Sequence, residues 1–150
     1  MNYVRELFSN HMFTCALISY FAAQIIKILI KLIQERRLDF GLMFASGGMP
    51  SSHASTVASL TFSALRLYGP GSPYFAISFV LASVVIYDAT GVRRAAGEHA
   101  KILNRLLADM SSGDPILAEA SLKELIGHTP FQVVMGALLG IAIPFIVPIA

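Results

Sequence analysis

Charged residues are scarce in this 150-residue chain, at 13% Asp, Glu, Lys and Arg, where soluble globular domains carry roughly 25%. The formal net charge of +2 is too small to favour a nucleic acid as a partner. The single cysteine, Cys15, excludes a disulfide or a cysteine-based metal site within one chain. Because a second hydrophobic core would be hard to fill at this length, we expect a single domain over residues 1–150.

Apolar residues make up 55% of the chain, and the mean hydropathy is +0.67. Long apolar runs at residues 12–33, 74–91 and 131–150 have about the length that a membrane-spanning helix needs. A fourth run, residues 54–67, is rich in Ser and Thr, and we expect it to pack against protein rather than lipid. The predicted fold class is therefore an all-α polytopic membrane bundle with about four membrane-embedded helices and short interfacial helices.

The connections between these runs suggest how the chain is arranged in the membrane. Residues 1–11 form a short polar start, and the turn sequence YGPGSP at residues 68–73 predicts a helical hairpin. The second half of residues 87–110, where Ile102, Leu103, Leu106 and Leu107 alternate with polar residues, has the pattern of an amphipathic interfacial helix. A shorter helix is expected at residues 116–127. We do not expect a secretory signal peptide, because the first apolar run is too long for the apolar core of one and ends in basic residues. Tracing the spans places the polar end of the first helix, the start of the second and both ends of residues 93–128 on one membrane face.

The stretch SGGMPSSHAS, residues 46–55, joins the first two apolar runs and has two interpretations. Ser51 or Ser52 can serve simply as the N-cap of the following helix. Alternatively, the glycines allow close approach of the backbone, and the serine hydroxyls and helix-start N–H groups bind a phosphate. In that case His53 is placed to protonate a leaving oxygen.

Basic residues gather at the end of the first helix: Lys27, Lys31, Arg36 and Arg37. The ordinary explanation is that long cationic side chains reach the membrane surface on the cytoplasmic side. That explanation suits Arg36 and Arg37. It suits Lys27 less well, because Lys27 lies deeper between apolar residues, where an ionisable group normally needs a partner.

A second polar cluster follows the third apolar run, in YDATGVRRAAGEH. Arg93 or Arg94 can bind phosphate oxygens in a bidentate way, and Asp88 can orient these side chains or a histidine. The alternative is a local Asp–Arg pair at the membrane interface. His128 precedes the last apolar run, with Gln132 one turn on, and a lone histidine at such a position is more often structural than catalytic.

Taken together, GGMPSSHAS, DATGVRRAAG and GHTPFQVVMGALLG resemble the divergent branch of the type 2 phosphatidic acid phosphatases, often labelled acid phosphatase/vanadium-dependent haloperoxidase-related. The resemblance covers residues 21–140. It implies an all-helical membrane phosphatase that needs no metal and no cofactor. One histidine attacks phosphorus, a second histidine in a Pro-Ser-Gly-His motif acts as the acid, and Lys, Arg, Ser and N–H groups hold the phosphate oxygens.

The family motifs carry over unevenly. Pro50, Ser51 and His53 match the second motif, with Ser52 in place of its glycine. The basic cluster of the first helix is the candidate for the first motif, although its spacing is irregular and no proline follows.

The third motif, Ser-Arg-x5-His-x3-Asp, can be placed twice. Arg93 and His99 have the right separation, but Leu103 stands at the Asp position. His128 has Gln132 at that position and lacks the arginine before it. We expect a split motif, in which Arg93 or Arg94 supplies the cation and His128 the nucleophile.

The predicted site thus has catalytic and phosphate-binding parts and no metal. His128 is the predicted nucleophile and His53 the acid, and Asp88 is the candidate to compensate for the carboxylate that Gln132 replaces. The predicted phosphate ligands are basic and hydroxyl side chains: Lys27, Lys31, Arg36, Arg37, Ser51, Ser52, Arg93 and Arg94.

These features predict an integral membrane enzyme that hydrolyses a phosphate monoester or diphosphate on an isoprenyl lipid or glycerolipid through a phosphohistidine. The alternative is a non-catalytic membrane protein that binds or moves a phosphorylated lipid. The expected location is a bacterial-type cell membrane. Because four spans are few to seal such a site, a homodimer is a candidate assembly.

Overall fold

A computed structural model describes residues 2–36, 48–110 and 127–149, without the side chains of Arg93, Arg94 and Met110. All regular secondary structure within these residues is helical, which confirms the predicted all-α class. The helices in chain order are α1 (Tyr3–Ser9), α2 (His11–Glu35), α3 (Ser52–Tyr68), α4 (Pro73–Thr90), α5 (Val92–Met110) and α6 (Pro130–Ile146).

Four of the helices begin at side chains that accept a hydrogen bond from the first turn, the usual N-cap arrangement. These N-caps are Asn10 for α2, Ser51 for α3, Ser72 for α4 and Thr129 for α6. Proline occupies the first position of α4 and of α6, where its missing N–H costs no hydrogen bond. The chain between Tyr68 and Pro73 reverses direction, as the YGPGSP turn predicts, so α3 and α4 form a hairpin.

Helix α3 lies at the centre of the bundle and packs against α2, α4 and α6. Its buried residues are small, mostly Ser and Ala, so neighbouring backbones approach closely. Ser19 of α2 donates to the Ser55 carbonyl oxygen (3.0 Å), and Thr61 donates to the Ser78 carbonyl oxygen of α4 (3.0 Å). The run that we expected to pack against protein is thus the core helix, held by interhelical hydrogen bonds of roughly 0.6 kcal/mol each in membranes.

Two helical stretches are long and apolar enough to cross a membrane: His11–Glu35, with a mean hydropathy of 1.9, and Pro73–Asp109, with 1.8. Only 33% and 17% of their most apolar windows are buried, so most of their hydrocarbon surface faces outward. A core helix of a soluble protein would instead be mostly buried. The protein is an all-α membrane bundle, and the count of four spans stays a prediction because α6 is apolar but shorter.

The structure corrects two details at the ends of the chain. The expected polar start contains helix α1, because Val4, Leu7 and Phe8 recur at helical spacing and form an apolar, exposed face. Helix α6 ends at Ile146, four residues before the predicted end of the apolar run, since Pro148 cannot continue a helix. The short helix predicted at residues 116–127 lies almost wholly outside the described residues.

Candidate functional site

The ends of α3, α4 and α6 meet on one side of the bundle. The Ser51 N–H donates to the Gln132 carbonyl oxygen (3.0 Å), which joins the start of α3 to the first turn of α6. The His128 N–H donates to the Ala89 carbonyl oxygen (3.1 Å), which joins the segment before α6 to the last turn of α4. These contacts bring together helix ends that the order of spans predicted on one membrane face.

Two glycines of α6 allow this approach. A Cβ atom added at Gly136 would overlap the carbonyl oxygen of Ser51, and one added at Gly140 would overlap that of Ser55. Both glycines are buried against the first turns of α3. The glycine spacing therefore sets the distance between the helix that carries His53 and the segment that carries His128.

Gly48, just before α3, packs against the C-terminal half of α2. It has a positive φ of 79°, a conformation that favours glycine, and an added Cβ would lie 3.1 Å from Cδ of Lys27. The Lys27 side chain therefore lies along the backbone four residues before Ser52, where α3 begins.

Lys27 is 3% exposed, and its Nζ atom has no hydrogen-bond partner among the residues that the structure describes. Lys31, one turn further along α2, instead pairs with Glu35 at 3.8 Å, and its side chain is 30% exposed. A buried ammonium in a membrane helix requires a compensating group, whereas a half-exposed pair at the interface does not. The structure thus separates two lysines that the sequence placed on one helix face.

The imidazole rings of His53 and His128 meet edge to face, with centroids 5.7 Å apart and planes at 64°. His128 is 3% exposed, and His53 is half-buried in the first turn of α3. Rings at this distance leave no space between them, so one small group can reach both of them only from beside the pair.

Gln132 orients His128. Its side-chain Oε1 atom accepts a hydrogen bond from the Thr129 backbone N–H (3.1 Å) and lies 3.3 Å from Nδ1 of His128. The backbone N–H of Gln132 donates to Thr129 Oγ1 (3.3 Å). Because a backbone N–H can only donate, the amide oxygen must face Thr129 and His128. Nδ1 of His128 then carries the proton, which leaves the lone pair on Nε2.

The serines at the start of α3 have distinct roles. Ser51 is fully buried, and its Oγ accepts the Ala54 N–H (3.3 Å), so it fills the N-cap role that the sequence offered as one alternative. Its hydroxyl hydrogen still allows donation to an anion. Ser52 is 5% exposed in the first helical position, beside His53.

For the arginines predicted as phosphate ligands, the structure shows no contact with Lys27 or either imidazole among the described side chains. Arg36 is exposed at the C-cap of α2, about 13 Å beyond Lys27 along the helix. Arg37 lies outside the described residues. Arg93 and Arg94 are in the first turn of α5, directly after α4, but their side chains are not described.

Asp88 and His99 were also candidates for catalysis. Asp88 is half-buried in the last turn of α4, next to the residue whose carbonyl oxygen binds the His128 N–H. His99 is exposed on α5, which packs against α4 but, among the described helices, against no other. His128, rather than His99, lies against His53.

No group of three or more His, Cys, Asp or Glu side chains that could hold a metal ion occurs in residues 2–36, 48–110 and 127–149. The described polar side chains that meet here are two imidazoles, one buried lysine and the serine hydroxyls at the start of α3.

Residues 8–143 match the family model described as "Divergent PAP2 family". The chain belongs to the divergent PAP2 family. It is 38% identical over 151 residues to a protein of Bacillus subtilis (strain 168) named "Uncharacterized membrane protein YuiD", an alignment that covers 94% of this chain and 96% of that relative. No solved structure matches the chain. The resemblance seen in the sequence is thus confirmed at the level of the family and of a membrane protein.

Sequence reasoning missed one contributor to this site of the divergent PAP2 chain. Thr129 forms a capping box with Gln132, and this box holds the amide oxygen that meets His128. The signal was readable, since Thr-x-x-Gln before an apolar run is a known helix-start pattern.

Proposed function

We propose that this protein hydrolyses a phosphate monoester or diphosphate on a membrane lipid, with His128 as the nucleophile. The observation that carries the proposal is the buried ammonium of Lys27, which packs against Gly48 beside the start of α3 and the edge-to-face pair of imidazoles. A phosphate group supplies the negative charge that this ammonium requires. The positive end of α3 favours the same anion.

In the first step, Nε2 of His128 forms a bond to phosphorus while the bond from phosphorus to the lipid oxygen breaks. His53 gives its proton to that oxygen, and the lipid leaves as an alcohol or, from a diphosphate, as a monophosphate. Lys27, the Ser52 hydroxyl and an arginine of α5 stabilise the charge on the three remaining oxygens.

In the second step, water attacks the phosphorus of the phosphohistidine, and the nitrogen–phosphorus bond breaks. His53, now neutral, accepts a proton from the water, and inorganic phosphate leaves. Gln132 keeps Nδ1 of His128 protonated throughout, so that the same nitrogen is the nucleophile in each cycle.

A second function, binding or moving a phosphorylated lipid without hydrolysis, is favoured by Gln132 itself. An amide oxygen orients His128 but does not supply the full negative charge that would make the imidazole more basic. A protein of this kind keeps the anion site and forms no phosphohistidine.

Phosphate release from a panel of isoprenyl and glycerolipid phosphates by the purified protein tests the proposal. We expect release in the presence of a metal chelator and inhibition by vanadate, which adopts the trigonal-bipyramidal shape of the transition state. Activity that persists at saturating vanadate, or that requires an added divalent metal, would contradict the mechanism. Absence of release from every lipid, with vanadate still bound, would favour the binding protein.

A further inference from the structure

An apolar groove of about 800 Å³ runs between α2 and α3. Phe13, Ala16 and Leu17 of α2 and Leu60 of α3 line its length, and all four are half-buried, so the groove is open along one side. Its volume is within the range of ligand pockets.

The near end of the groove adjoins the proposed phosphate site. Thr56 lines this end and donates to the Ser52 carbonyl oxygen (2.8 Å), one turn into α3. Tyr20 lines it from α2, and its hydroxyl accepts a hydrogen bond from Gln24 (3.2 Å). Gln24 is 2% exposed and precedes Lys27 by one turn. The groove therefore begins one to two helical turns from Lys27 and the start of α3.

The far end of the groove lies at the opposite end of the bundle, at Tyr68 and Tyr74, whose rings are 4.7 Å apart. At about 1.5 Å per residue, α3 rises roughly 7 Å from Ser51 to Thr56 and roughly 18 Å from Thr56 to Tyr68. A chain attached to a phosphate at the start of α3 therefore has a path of about 25 Å, of which the groove forms roughly the last 18 Å. One leaflet of a bilayer offers only about 15 Å of hydrocarbon depth.

We propose that this groove holds the single long hydrocarbon chain of the phosphorylated lipid, so that the substrate is a polyisoprenyl phosphate or diphosphate. This inference rests on the phosphate site of the proposed function. The acyl chains of a glycerolipid end near the bilayer midplane and come in pairs, whereas the path from the phosphate site along the groove is single and longer than one leaflet is deep. Only a single chain longer than one leaflet fills it.

A second apolar crevice provides a matched control. It is smaller, about 270 Å³, and lies between α2 and α6, where Leu138 and Met135 face Ile26 and Ile30. From Met135 to Leu138, α6 rises only about 5 Å, so the crevice is too short for a long hydrocarbon chain. Leu60→Trp should fill the groove, and Leu138→Trp should add the same ring to the crevice.

Photocrosslinking in phosphatidylcholine vesicles tests the inference without requiring turnover. The probe is a long-chain polyprenyl phosphate with a diazirine near the end of its chain, and the labelled residues are mapped by mass spectrometry. We expect labelling of Phe13 and its neighbours, about tenfold weaker in Leu60→Trp and unchanged in Leu138→Trp. Ala16→Phe fills the groove from the other wall and should give the same loss if Leu60→Trp does not fold.

Labelling spread over the outward face of α4 would overturn the inference, because the probe chain would then lie in the surrounding bilayer. Labelling that neither groove-filling change affects would overturn it as well, because the chain would then not occupy the groove. Equal labelling by a two-chain glycerolipid phosphate with the same group would overturn the substrate class. Groove labelling that depends on the phosphate, in samples that release no inorganic phosphate, would uphold the groove while refuting hydrolysis.

Discussion

The two ends of the bundle differ in how their cations are compensated. At one end, Lys27 is buried, and its ammonium has no hydrogen-bond partner among the described residues. At the other end, Arg66 donates to the carbonyl oxygens of Pro144 and Val147, the latter at 3.0 Å, and lies over the Phe145 ring at 5.9 Å. Arg66 thus binds carbonyl groups that the end of α6 leaves without helical partners.

The difference separates a structural cation from one that awaits a ligand. Arg66 completes the end of a helix, and its removal should affect folding before anything else. Under the proposed function, Lys27 contributes a desolvated charge that destabilises the empty protein and that a bound phosphate compensates. Substitutions at the two ends should therefore have opposite consequences for stability and activity.

Lys27→Met should have the largest effect of these changes on activity. Loss of the ammonium should lower kcat by about 100- to 1000-fold, since it removes a preorganised charge from the transition state, while the folded protein becomes no less stable. Lys31→Met is the matched control, because Lys31 is one turn away and paired with Glu35. For both variants, steady-state phosphate release gives kcat, and the apparent Tm in detergent reports stability. Equal losses in the two variants would show that Lys27 is an ordinary interfacial lysine.

Arg93→Lys and Arg94→Lys should have an intermediate effect. At least one of them should lose about 10- to 100-fold in kcat/KM despite keeping its charge, because an ammonium cannot reproduce bidentate binding of phosphate oxygens. Arg105→Lys, on the exposed face of the same helix, should be neutral. If all three variants tolerate the exchange, neither arginine binds the substrate phosphate, and the split motif is wrong.

Arg66→Met should have the smallest effect on turnover and the clearest effect on stability. The lost hydrogen bonds to Pro144 and Val147 should cost about 1 kcal/mol in the free energy of unfolding, seen as a lower apparent Tm. The kcat of the folded fraction should stay within about twofold of the native value, because the site is at the other end of α3. A large loss of kcat at unchanged Tm would remove the distinction between the two ends.

The sequence predicted most of the fold because its signals are local. Proline and glycine set the ends of the α3–α4 hairpin, and hydropathy located α2 and α4. Helix α1 was missed because three apolar residues at helical spacing in a short polar segment are too few to indicate a helix. The end of α6 was misplaced because hydropathy continues beyond the point where Pro148 ends the helix.

The site was predicted as a set of candidates rather than as an arrangement. Lys27 and Lys31 share a helix face in sequence, and the structure distinguishes them, because Lys27 is buried against Gly48 whereas Lys31 pairs with Glu35. Likewise, His99 and His128 each match the third motif only in part, and the approach of α6 to α3 places His128 against His53. Interhelical distances of this kind depend on small residues far apart in sequence, such as Gly136 and Ser51. The choice of His128 as the nucleophile stays a prediction.

Trapping of the phosphorylated intermediate tests the central claim most directly. The purified protein is mixed with a lipid phosphate labelled with radioactive phosphorus, quenched in alkali to preserve phosphohistidine, and mapped by mass spectrometry. The label should be on His128, absent from His128→Ala and present in His99→Ala. Label on His99, or phosphate release by His128→Ala at the native rate, would contradict the account and return the nucleophile to the contiguous RRAAGEH motif.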